Sequence, residues 1–147
     1  MWNDQERKYL ETARIGRLAT ADAGGRPHVV PVCFAMENDH VVIPIDEKPQ
    51  RVSPERLRRC RDIEENPRVA VVVDHYTEEW SQLGWVKVLG TATLSAPEQE
   101  GHASAIDTLR QKYDQYVEHD LENRPLIRIA PGSVQSWGVI DRPNRSP

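Results

Sequence analysis

The sequence is poor in the residues that staple a fold or anchor it in a bilayer. Its 147 residues hold two cysteines, Cys33 and Cys60, and one phenylalanine. The cysteines lack CxxC spacing and metal-type neighbours, which argues against a disulfide framework or thiolate metal site and reads both as buried or incidental thiols. Apolar runs last only a few residues, far short of the roughly 20 that span a membrane. The charged N-terminus, Met1 to Lys8, lacks the apolar stretch of a signal peptide, so a cytoplasmic location is the default expectation. The five histidines, His28, His40, His75, His102 and His119, are scattered without HxxH or HExxH spacing, and no metal site is expected. There is no GxSxG elbow and no GxGxxG after a strand, so a serine nucleophile and a parallel dinucleotide-binding sheet both lack support. A net charge of −4 argues against a general nucleic-acid binder.

What is present suits one globular domain, residues 1–147, with 38% hydrophobic and 29% charged residues. Residues 4–14 read as a helix capped by Asp4, with Leu10, Ala13 and Ile15 inward. Residues 15–21 alternate as a strand, Asp22 to Pro27 form a Gly-Gly turn, and His28 to Phe34 return as the second strand of a hairpin. A proline inside that strand, Pro31, points to a sheet edge, a bulge or a ligand-facing site. His40 to Asp46 is a third strand, again with a proline, Pro44. Ser53 and Pro54 open a helix over 54–65 that Asn66-Pro67 ends. Arg68 to His75 is a buried strand. Trp85 to Ser95 alternates as another, and Gly90 marks a bulge or close backbone approach. A long helix is expected from Ala96-Pro97 to about Val117, apolar at Ala105, Ile106, Leu109 and Tyr113. Leu126 to Trp137 is the last strand, bent at Pro131-Gly132, and the tail from Arg142 is expected to be loose. Six short strands joined largely by turns, with three helices, favour a mainly β antiparallel sheet closing into a barrel.

Two features carry chemistry. Between Lys48 and Arg61 stand six basic residues, Lys48, Arg51, Arg56, Arg58, Arg59 and Arg61, against one acid, Glu55. The run spans a helix start, where free N–H groups and the macrodipole attract anions, and arginine forks match phosphate oxygens. It reads equally as a solvated helix face. Helical spacing prevents all six from meeting one ligand, and Lys48, Arg51, Arg56 and Arg59 form the most compact set. The second feature is aromatic: Trp80 and Trp85 flank a loop with Ser81, and tryptophans supply flat walls for a planar ring as readily as core packing. Trp137 reads as core or dimer interface.

The ensemble IGRLATADAGGRPHVVPVCFAMENDHVVIPID, then Lys-Pro and a basic helix ending ENPRVAVVVDHY, then EEWSQLGWVKVLGTATL, resembles the pyridoxamine 5′-phosphate oxidase-like superfamily, and within it the small branch of F420-dependent enzymes. The resemblance covers Ile15 to Leu94 well and the rest loosely. It implies a six-stranded split β-barrel with flanking helices, of the FMN-binding type, acting as a homodimer with cofactor sites at the interface. It further implies a deazaflavin or flavin ring against Val30, Pro31 and Val32 and against Pro44, Ile45 and Asp46, met largely through backbone. A phosphate would be held by Lys48 and Arg59, with Arg51 and Arg56 beside them, and Trp80, Ser81 and Trp85 would approach from the partner subunit. Many relatives have Asn where this chain has Asp62. The implied activity is hydride transfer between coenzyme F420 and a small organic substrate. The alternatives are an FMN-dependent oxidase-like enzyme and a non-catalytic flavin or haem carrier, the last needing His28, His40 or His75. No catalytic residue stands out.

Overall fold

A computed structural model describes residues 1–46 and 57–144. It contains α1 (Asp4–Thr12), β1 (Gly16–Ala21), β2 (Pro27–Val32), β3 (Ala35–Glu37), β4 (His40–Pro44), α2 (Arg58–Glu65), β5 (Arg68–His75), β6 (Gly84–Ser95), α3 (His102–Lys112) and β7 (Leu126–Gly138). Short 3-10 turns occupy Trp80–Gln82 and Asp114–Glu118.

All seven strands form one antiparallel sheet, in the order β2-β1-β5-β6-β7-β4-β3. This is a half-barrel of split-barrel type. It differs from the expected closed six-stranded barrel in two ways. The sheet keeps two edges among the described residues, β2 and β3. A seventh strand, β3, pairs with β4 across a turn in which Asn38 takes a positive φ of 54°. With only three residues, β3 is too short to show a period. Pro31 does lie on an edge strand, where a missing N–H is tolerated.

β6 and β7 are the spine, paired from Gly84↔Gly138 to Ser95↔Leu126, with a register shift between Leu89 and Gly90. The shift coils two long strands that would otherwise diverge. One sheet face buries Leu18, Val32, Ile43, Val71, Val88 and Ile127 against Phe34, Cys60, Ile63 and the α1 residues Tyr9 and Leu10. A second cluster seats α3, through Ala105, Ile106 and Leu109, on Ala35, Val42 and Leu126.

Helix boundaries depart from expectation at both ends of α1 and α3 and at the start of α2. Asn3, rather than Asp4, caps α1, in a reciprocal box with Glu6. Ile15 is exposed, because the chain leaves the helix at Ala13 before reaching it. α3 begins only after Gly101 (φ +89°) and ends at Lys112, giving way to the 3-10 turn rather than continuing to Val117. α2 begins at Arg58 rather than at Pro54, because Leu57 is extended at the N-cap position, and no side chain caps it. Ser53 and Pro54, the expected cap and first position, lie outside the described residues. The segment expected to be loose holds Asn144 buried, its backbone N–H on Thr12 and its side chain on the Asp74 carbonyl.

Candidate cofactor site

The strand ends that the sequence nominates are held by one small module, the end of α3 and the turn after it. Where the chain leaves β2, Phe34 is fully buried. Its N–H donates to the Tyr113 hydroxyl at 3.1 Å, and its carbonyl accepts from that hydroxyl at 3.0 Å and from Lys112 Nζ at 2.9 Å. Tyr113 Oη also lies 3.1 Å from the Arg14 carbonyl. Burial pushes the Tyr113 hydroxyl up to about 12, so it serves as a proton-bearing bridge. Where the chain leaves β4, the Tyr116 hydroxyl donates to Asp46 Oδ2, and the Arg124 guanidinium donates to the Ile45 carbonyl at 3.1 Å. Burial first, and then the Asp46 bond, raise the Tyr116 hydroxyl far above its ordinary range. Both tyrosine hydroxyls face the Cys33 thiol, which is half-buried between the two exits. Thus Cys33, Tyr116 and Asp46 tie the end of β2 to the end of β4.

The nominated ring-contacting residues divide by side chain. Val32, Pro44 and Ile45 turn theirs into the protein, so only their backbone is available. Val30 is half-buried against the core, Pro31 lies on the outer sheet face, and Asp46 is half-buried. Lys48, Arg51 and Arg56 lie outside the described residues. Arg59 is 8% exposed, flanked by Cys60 and Asp62 on the buried side of α2. Asp62 is itself satisfied: Thr20 donates to Oδ2 at 2.7 Å and Arg58 Nε to Oδ1 at 2.8 Å. This carboxylate therefore acts as an internal counter-ion that fastens α2 to β1. Arg61 is exposed.

The aromatic loop is elsewhere. Trp85 opposes Trp137 on one side and Asp74 on the other, so β6 lies three strands from β2, roughly 14 Å at ordinary strand spacing. Trp80 is 70% exposed and donates to Tyr76 Oη, and Ser81 is exposed beside it. One copy of the chain does not bring Trp80, Ser81 or Trp85 to the β2 and β4 exits. Beneath this loop His75 is fully engaged. Its Nε2 donates to the Gln82 carbonyl at 2.6 Å, and its Nδ1 lies within hydrogen-bond distance of Tyr9 Oη at 2.6 Å. Among the described residues no group of three or more His, Cys, Asp or Glu could hold a metal ion, and no helix is long and apolar enough to cross a membrane.

Sequence reading missed the bracing residues Lys112, Tyr116 and Arg124. Tyr116 stands three residues after Tyr113, a spacing that could have marked a paired bridge. Its partner Asp46, however, is 70 positions away.

The outer face of the sheet is the remaining feature. Register places Val29, Ala19, Ala70, Leu89 and Ser133 side by side across five strands, and Pro31, Arg17, Val72, Lys87 and Gln135 in the next row. The two central alanines leave an open trough of about 570 Å³ between larger neighbours. Val29, Leu89 and Trp137 stand 63%, 40% and 54% exposed there.

This half-barrel with braced strand exits is the architecture of a known class. The sequence pattern of the pyridoxamine 5′-phosphate oxidase family matches residues 3–138, and the chain belongs to that family. It is 29% identical over 138 residues to the 5a,11a-dehydrotetracycline/5a,11a-dehydrooxytetracycline reductase of Streptomyces rimosus, covering 94% of this chain and 84% of that protein. Among solved structures, a conserved protein of Mycobacterium tuberculosis superposes with TM-score 0.75 at 17% identity, covering 94% of this chain and 85% of that one. The heme storage protein HutZ of Vibrio cholerae superposes with TM-score 0.69 at 17% identity, covering 91% and 94%. At these identities the two structures speak for the fold. The family and the named reductase support an oxidoreductase in general.

Proposed function

We propose that this protein is an F420-dependent oxidoreductase working as a homodimer, which reduces an electron-poor double bond in a small organic molecule. The observation that carries the reading is the family match over residues 3–138, joined to a relative named as a reductase that aligns with nearly the whole chain. That relative's name supports unsaturated ring compounds of the dehydrotetracycline kind as first substrates to try. When bound, a reduced deazaflavin or flavin would supply the hydride.

The chain's own residues suit the task of holding such a group. Backbone at Val30, Pro31, Val32, Pro44 and Ile45 would line the ring, because the side chains of Val32, Pro44 and Ile45 are committed to the interior. Asp46 offers a carboxylate acceptor at the β4 exit. Lys48, Arg51, Arg56 and Arg59 would meet the phosphate, and Trp80, Ser81 and Trp85 would arrive from the second subunit. The FMN-dependent reading uses the same residues, since both cofactors carry a ring and a phosphate. The haem-carrier reading has less to work with: His75 has both ring nitrogens engaged, leaving His28 and His40.

Titration of the purified protein with F420, FMN and hemin, followed by tryptophan quenching, tests the assignment. F420 binding with reduction of a dehydrotetracycline is the expected result. Tight FMN binding without F420 binding would transfer the reading to the oxidase-like alternative. Hemin binding alone would replace it with the carrier.

A further inference from the structure

The Tyr116–Asp46 bond is unusual in what it leaves over. Tyr116 is buried and rigidly seated, its ring 5.4 Å from Tyr113 and 5.5 Å from His119. It engages one carboxylate oxygen of Asp46, while Oδ1 accepts no hydrogen bond from a described residue. The preceding carbonyl is pinned by Arg124, so backbone and side chain at the β4 exit are both fixed. A half-buried carboxylate held through one oxygen is a preorganised acceptor for a donor that reaches the other. Flavin and deazaflavin rings both carry such a donor, the imide N–H at N3.

We propose that Asp46 is the acceptor for the ring imide N–H, and that Tyr116 is the positioning residue that aims it. This rests on the cofactor reading above and adds to it a specific contact, one that ties ring recognition to a residue on a different part of the chain. The Tyr116 hydroxyl supplies the donor that stops the carboxylate from rotating. Without it the carboxylate loses its direction.

The test uses ring discrimination. F420 and FMN, each alongside its N3-methyl derivative, are titrated by fluorescence into wild type, Tyr116→Phe, Asp46→Ala and the double variant, with thermal melts in the same buffer. Wild type is expected to prefer the parent cofactor by roughly tenfold, the scale of one charge-assisted hydrogen bond. Asp46→Ala should bind parent and derivative alike. Tyr116→Phe, which opens no space beside the ring, should lose most of the preference while melting near wild type, and the double variant should match Asp46→Ala. A purely structural role for Tyr116 would weaken both ligands equally and leave the preference intact, which would overturn the proposal. Equal binding of parent and derivative by wild type would do the same, with the cofactor reading still standing. Binding of neither cofactor by wild type would remove both.

Discussion

Lys112 shows how a single buried charge reports its surroundings. Its amine sits 4.0 Å from the Phe34 ring centroid and 5.4 Å from that of Tyr113. Burial, and then the nearby Arg14 guanidinium, bring its pKa down to about 7, with Cys33 and Glu11 pulling the other way. An unfolded lysine titrates near 10.4. Between those values the unfolded chain binds more protons than the folded one, so stability rises with pH across the window. Wild type should therefore gain melting temperature relative to Lys112→Met between about pH 7 and about pH 9.5. Calorimetry across that range checks it. A flat difference would mean that the Phe34 ring and carbonyl keep the amine protonated. At this scale the sequence was half legible. Helical spacing picked out Ala105, Ile106, Leu109 and Tyr113 as buried, and all four are. It could not find Lys112 or Tyr116, because the groups that give them meaning, Phe34 and Asp46, lie 78 and 70 positions away.

Elements were read well where a local rule decides them and poorly where a neighbour does. The buried apolar run of 68–75 and the alternation of 85–95 locate those strands to within a residue. α3 is shorter than its sequence suggests: Pro97 is a good helix starter, yet Gln99 turns its side chain back onto the Ala96 N–H and Gly101 resets the backbone. Gly90 was legible as an irregularity, and the structure supplies the reason. A Cβ there would stand 2.4 Å from the Ala130 carbonyl oxygen and 2.9 Å from an Ile129 methyl carbon. Backbone rather than a pliable side chain makes the closest contact, so β7 itself would have to move. Gly90→Ala is expected to cost about 2–4 kcal/mol, the range of overpacking and backbone strain. Urea denaturation measures it; a loss within about 0.5 kcal/mol, as at an ordinary surface site, would show that the bulge relaxes freely.

The whole molecule depends on a strand order, β2-β1-β5-β6-β7-β4-β3, that no local pattern encodes, because its neighbours are set by long-range pairing. The family resemblance brings the tryptophans to the β2 and β4 exits only from a partner subunit, and within one chain the sheet does set β6 three strands from β2. A second copy covering the outer face would resolve the separation, since Trp85 and Trp137 border the same face as Val29 and Leu89. The face has the character of an interface core. Its centre row is apolar from Val29 to Leu89, Arg17 and Asp74 are paired at 3.1 Å, Lys87 lies over the Trp85 ring, and the alanine trough is a recess that a protruding side chain can enter. Wild type should therefore run as a dimer in light scattering. Val29→Glu with Leu89→Glu puts like charges at the centre of a two-fold contact, where each meets its own symmetry mate or near neighbour, and should yield a folded monomer. The monomer should also lose cofactor binding although none of the residues at the β2 and β4 exits has changed. Retained binding by a monomer would mean that Trp80, Ser81 and Trp85 take no part in the site. A dimer that survives both charges would place the contact on a different face.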